Sequence, residues 1–162
     1  MRRALPVILF ALVTSAGAAQ PGTDPLLRLA SSDPLELARA VDHLGDAGVL
    51  ARLTEETPIA VLAVAVLAAP QMHAPESSLF RLVELAQGRD PDLAPRAMLS
   101  ALTIARALDP QRLDARECDR ASLGPARIGL EALAADATAR EDIRRAAGLA
   151  AAALADLGAP EA

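Results

Sequence analysis

The alternation of apolar and polar positions is clearest over residues 78–108, SLFRLVELAQGRDPDLAPRAMLSALTIARAL. Leu79, Leu82, Val83, Leu85 and Ala86 recur at the three- and four-residue spacing of one helix face, with Arg81, Glu84 and Gln87 opposite. Gly88 predicts a left-handed C-cap ending that helix, and Arg89-Asp90-Pro91-Asp92 reads as a corner. A proline is tolerated only in the first turn, so Pro95 predicts a second helix with Asp92 as its N-cap. Its apolar stripe is Ala94, Ala97, Met98, Ala101, Ile104, Ala105 and Leu108, while Leu99 stands opposite among Arg96, Thr103 and Arg106. So short a corner predicts an antiparallel helical hairpin. One hairpin cannot bury both of its apolar faces, so further hairpins are expected on either side.

Three other stretches repeat this plan. In 25–45, Asp24 caps a helix opening at Pro25, and Asp33, Pro34 and Glu36 have the spacing of cap, first residue and capping-box carboxylate for a longer helix that Gly45 closes. In 49–69, Thr57 and Pro58 start a helix with no polar residue over 59–69. That run is too short to span a bilayer and is expected to be the least exposed helix of the protein. In 126–158, Ile128, Leu130, Ala132 and Leu133 predict a short helix and 135–137 a corner. Thr138 and Glu141 are spaced as a capping box before an Ala-rich helix ended by Gly158 and Pro160. Between the last two units, 109–124 is mostly charged and reads as a polar insertion with an exposed turn or two around Leu113 to Arg120.

Composition sharpens the fold class. Alanine makes up roughly a quarter of the chain, far above ordinary usage. Helix formers dominate and β-branched residues never gather in alternating runs, so the chain is expected to be all-α. The formal net charge is −5, or −7 once Arg2 and Arg3 leave with a leader, and there are two aromatic residues, both Phe. An acidic chain with scattered arginines and almost no stacking platforms is poorly suited to nucleic acid, and none is expected as a partner. Met1-Arg2-Arg3, the apolar run 5–13 and Ala16-Gly17-Ala18 match a secretory leader, giving a signal peptide at 1–18, a linker at 19–24 and a helical domain over 25–162. The expected product is exported, periplasmic or extracellular, and not stably inserted in the membrane. The single cysteine, Cys118, can form no internal disulfide.

Short helix, Asp/Pro corner and longer Ala-rich helix, repeated about four times, resemble the HEAT repeats of bacterial proteins. The resemblance rests on D90-P91-D92-L93-A94-P95-R96-A97-M98-L99-S100-A101-L102 and on Asp136 followed by D142-I143-R144-R145-A146-A147. It implies a short α-solenoid of about four hairpins, with Asp90 pairing with Arg96 and Asp136 with Arg144 between repeats. The alternative is an irregular helical bundle.

Candidate chemistry is sparse. His43, His73 and Cys118 are far apart and lack zinc-like spacing, so no metal site is expected. Glu117 and Asp119 would raise the Cys118 thiol pKa rather than activate it. No phosphate loop, nucleophile elbow or HExxH occurs, and no cofactor is implied. The carboxylates at 55–56 and at Asp90 and Asp92 suit helix N-termini. Within the insertion, Arg112, Arg116 and Arg120 recur every four residues and are the candidate partner-binding residues. The reading that results is an exported, non-enzymatic scaffold for an unidentified protein partner. Its competitors are a carrier of a small apolar ligand between the helices near 59–68 and 97–108, and an enzyme joining His43 or His73 to carboxylates.

Overall fold

Three Asp-Pro steps begin helices in the same way. At Asp33-Pro34, Asp90-Pro91 and Asp109-Pro110, Oδ1 of the aspartate accepts the amide two residues on, at 3.0, 3.0 and 2.9 Å. Its backbone carbonyl accepts the amide four residues on, at 3.0, 3.1 and 3.0 Å. The carboxylate satisfies orphan donors of the first turn, and proline sits where no donor is needed.

The computed structural model describes residue 26 and residues 33–88, 90–115 and 123–158. The leader, the linker and Asp24 lie outside them. The described helices are α1 (Pro34–Leu50), α2 (Ile59–Ala68), α3 (Leu79–Gln87), α4 (Leu93–Ala107), α5 (Pro110–Ala115), α6 (Leu123–Ala135) and α7 (Glu141–Asp156), with 3-10 turns at Ala69–Gln71 and Pro75–Ser78. No strand occurs among the described residues, and the fold is all-α as composition predicts.

Helices α1 and α2, α3 and α4, and α6 and α7 pack as hairpins; α3 also packs on α6, and α4 on both α2 and α7. Two layers result, one of α3 and α6, the other of α2, α4 and α7 with α4 in the middle. Burial follows that position. Counted from Pro58 and from Asp90, α2 and α4 bury the same positions: Val61, Leu62, Ala65, Val66, Ala68 and Ala69 in one, Leu93, Ala94, Ala97, Met98, Ser100 and Ala101 in the other. Fully buried Leu82, Met98 and Ile104 each contribute about 1.5–3 kcal/mol of hydrophobic stabilisation. Counted from Arg140, α7 buries Ile143, Ala147, Ala150 and Ala151, but Arg144 and Gly148 are only half-buried.

Local departures from the sequence reading have identifiable causes. Gly45 takes φ 69° and breaks α1, as a closing glycine should, but a short helical segment resumes and runs to Leu50; residues 51–57 are then turns. Gly88 is extended (φ −64°, ψ 165°), not left-handed. Glycine is still favoured there, since a Cβ would stand 3.0 Å from the Leu85 carbonyl oxygen. The cap of α4 is Asp90 rather than Asp92, because Asp90 Oδ1 also accepts the Leu93 amide at 2.8 Å. Thr57 caps nothing; its hydroxyl shares a 3.1 Å hydrogen bond with that of Thr54. Thr138 and Glu141 form no capping box: Thr138 donates its amide and hydroxyl to Asp136 Oδ1, and Glu141 pairs with Arg145. Half of α2 is buried, but Ile59 is 57% exposed. In the stretch read as an exposed insertion, Asp109 caps α5 and Leu113 is buried, and α6 starts at buried Leu123. Ile128, read as part of the apolar face of that helix, is exposed.

Helices α3 and α6 meet most closely at Gly129, where a Cβ would lie 2.7 Å from Val83 Cγ1. Val83 is stiff at χ1 and cannot move aside. Gly129→Ala is expected to destabilise by about 1–3 kcal/mol in urea titrations despite alanine's better helix propensity. Adding Val83→Ala should recover part of that loss; equal and additive losses would show that the contact is not tight. Asp90→Ala should cost about 1 kcal/mol, and Asp92→Ala a few tenths at most.

Candidate protein-interaction face

The second helices carry one side chain type at an equivalent position. Leu67, Leu99 and Leu149 each lie nine residues after the residue whose carbonyl accepts an amide four residues on at the start of the helix: Pro58, Asp90 and Arg140. Leu67 is half-buried, while Leu99 is 63% and Leu149 45% exposed. On α4 the exposed strip is Arg96, Leu99, Thr103 and Arg106, as the helical period predicts. Thr103 turns its hydroxyl back to the Leu99 carbonyl at 2.8 Å, so that group needs no outside partner. Between α2 and α4 a shallow recess of about 240 Å³ is lined by Ile59, Ala60, Ala63, Leu93 and Arg96, with Asp90 and Asp92 at its corner end.

A larger cleft, about 590 Å³, separates the α3–α4 corner from the α6–α7 corner. Its floor is Ala86, Ala94, Leu133 and Ile143, and its rim carries Gln87, Asp90, Asp136, Thr138 and Arg140. Those rim groups are already engaged. Asp90 holds the start of α4, and Asp136 lies below the ordinary carboxylate range chiefly because Thr138 donates both its hydroxyl and its amide. Arg140 grips Asp142 through Nε and Nη2 at 3.1 and 2.8 Å, and Nη1 reaches across to the Pro91 carbonyl at 3.3 Å. Pro95 has no N–H to offer that carbonyl, so the next hairpin supplies the donor. The cleft therefore joins hairpins and presents no nucleophile or unengaged acid-base pair. The pairing implied by the HEAT resemblance takes a different form here. Asp90 makes no ion pair with Arg96; its Oδ1 takes the Asp92 and Leu93 amides instead. Arg144 draws Asp136 only electrostatically, behind the Thr138 bonds.

Of the candidate partner-binding arginines, Arg112 is the third residue of α5, with its side chain outside the described set, and Arg116 and Arg120 lie outside the described residues, as does Cys118. His43 is exposed on α1. His73 stands beside two carboxylates, 3.6 Å from Asp42 and 3.4 Å from Asp46, on an open surface where its side chain is 72% exposed. Asp46 spends both oxygens on the connector between α2 and α3, accepting the His73 and Ala74 amides at 3.0 and 2.8 Å. The neighbouring hydroxyls of Ser77 and Ser78 are donated to the Ala74 and Pro75 carbonyls, not to the ring. The cluster is a clasp between α1 and the connector. No group of three or more His, Cys, Asp or Glu among the described residues is arranged to hold a metal ion, and no described helix is long and apolar enough to cross a membrane.

The exposed positions of Ile59 and Leu149 escaped the sequence reading, which placed the first in a buried helix and the second in a close-packed one. The nine-residue interval after each helix start was the available signal for Leu149. No protein-family model, curated protein or solved structure matches this chain.

Partial burial opposes ionisation of Asp46, but the Ala74 and His73 amides and the His73 ring together outweigh it and hold the carboxyl below its ordinary value. Its contribution to stability is thus present above the unfolded value, about 3.9, and lost as pH falls through the lower folded value. Asp46→Asn should be less stable than the parent in urea at neutral pH, with the difference shrinking below about pH 3.9. A pH-independent difference would mean that the charge on Asp46 plays no part.

Proposed function

We propose that this protein is an exported, non-enzymatic helical-repeat adaptor that binds a protein partner through the outer face of α2, α4 and α7. The observation that carries this reading is the recurrence of leucine at one position of three stacked helices, exposed in two of them. Leu67 packs in part against the core, but Leu99 and Leu149 face solvent, and rows of apolar side chains rimmed by polar ones mark interaction surfaces. Stacked hairpins of matching register offer such a row without a deep pocket, which favours a short HEAT-like solenoid over an irregular bundle. The step from repeat architecture to binding is analogy at the level of the fold. Against the carrier reading, Ala65, Val66, Ala97, Met98 and Ala101 are buried where α2 meets α4, and the recess there opens outward.

A photo-crosslinker placed on Thr103→Cys, in a Cys118→Ala background, should give a discrete protein adduct in native envelope extract. Leu99→Asp and Leu149→Asp should each reduce that adduct by about tenfold or more, while surface substitutions of this kind leave stability within about 0.5–1 kcal/mol. An adduct indifferent to both leucines, or none at all, would sink the proposal.

A further inference from the structure

Resting on the adaptor reading above, we infer that the partner segment is an acidic amphipathic helix, with an apolar side chain against Leu99 and carboxylates at Arg96 and Arg106. The first observation is charge. The chain is acidic overall, at −5, yet the exposed strip of α4 carries two arginines and no acid. The second is pairing. Arg81, Arg127, Arg140 and Arg145 each have a carboxylate of their own within 3.3 Å. Arg96 and Arg106 form no ion pair among the described residues; the same holds for Arg39 and Arg144, but only Arg96 and Arg106 share one exposed strip. Asp90 and Asp92 lie at the corner end of the same recess and soften the field of Arg96 there, so the stronger of the two charges toward a partner is that of Arg106. Arg106, in the last turn of α4, has no acid beside it on the exposed strip.

The third observation is spacing. Arg96 and Arg106 are ten residues apart on one helix, about 15 Å at 1.5 Å per residue. Leu99 lies between them on the same strip, and Ile59 stands exposed across the recess. A partner helix laid along the strip meets them with two carboxylates about three turns apart and a leucine-sized anchor between, the usual helix-in-groove arrangement. A basic helix would bring like charges together at both ends of the strip, which is strongly disfavoured at an interface.

The test uses two designed, fluorescently labelled helical peptides with one leucine stripe, one carrying Glu on its remaining positions and the other Lys. Binding to the full chain is read by anisotropy at low ionic strength. The acidic peptide should bind about tenfold tighter or better than the basic one, weaken with salt, and lose its advantage on Arg96→Glu/Arg106→Glu. If both peptides bind alike and Leu99→Asp weakens both, the acidic inference is overturned and the adaptor face stands. If Leu99→Asp changes neither, or neither peptide binds, the inference falls; intact, leucine-dependent crosslinking would then still support the adaptor reading. Concentration-dependent dimerisation abolished by Leu99→Asp, without peptide preference, would make a second copy the occupant. Vesicles of phosphatidylcholine and phosphatidylglycerol that bind the parent but not the charge-reversed variant, while the acidic peptide does not bind, would assign the face to a membrane surface. Either result overturns the proposal. Circular dichroism checks folding, and Arg96→Gln/Arg106→Gln and Leu99→Gln replace any variant that fails it.

Discussion

Helix α4 is packed by α3 on one side and by α2 and α7 along its flanks, and the rest of the structure depends on that three-sided burial. A helix so enclosed needs small side chains where neighbours approach, and α4 has Ala94, Ala97, Ala101 and Ala105 there, with Met98 and Ile104 filling the wider gaps. It also needs its first turn satisfied without help from water. Asp90 does this with its carboxylate and carbonyl together, and the cost of Pro95, an acceptor at Pro91 with no helical donor, is offset by Arg140 from the following hairpin. A local defect in one hairpin thus becomes a point of attachment for the next.

The same constraint explains the asymmetry of the other layer. Helices α3 and α6 approach closely enough that Gly129 lies under Val83, and Gln87 donates to the Gly129 carbonyl at 3.3 Å. Two long side chains at that crossing would push the hairpins apart and open the α4–α7 joint. Arg127, on the same helix, is buried with its Nε 3.3 Å from Glu131. A buried guanidinium is costly without a partner, and this pair, one turn apart within α6, offsets part of that cost.

The period of α4 was fully legible: Arg96, Leu99, Thr103 and Arg106 fall on the exposed side because 3.6 residues per turn leaves them no alternative. Helix ends were less so. Asp90 and Asp92 both have the chemistry of a cap, and what decides between them is that the Leu93 amide donates to Asp90 Oδ1 and the Ala94 amide to its carbonyl. Thr57 and Thr138 occupy cap-like spacings, but nearby partners, Thr54 and Asp136, claim their hydroxyls first. The start of α6 was hidden because its buried face includes Gly124 and Arg127, residues that break an apolar count without breaking the helix. Of the outer face, Leu99 was visible from a single helix. Leu149 and Ile59 were not, because alignment across helices depends on where each one starts, and that is settled by packing.

Repetition gives that alignment its significance. An exposed leucine on one helix is ordinary, because folded surfaces always carry apolar atoms. Leu99 and Leu149 differ in being the same position of adjacent helices, with Leu67 as a third, half-buried member. Stacking sets α2, α4 and α7 side by side, so a periodic feature of the sequence recurs from one helix to the next within one layer. Buried positions follow that periodicity because they must fill the joint between neighbours. Position nine lies at the edge of the joint: Leu67 still packs against the core, whereas Leu99 and Leu149 are exposed. For those two, packing alone does not account for leucine, and burial against another surface is the simplest physical cause.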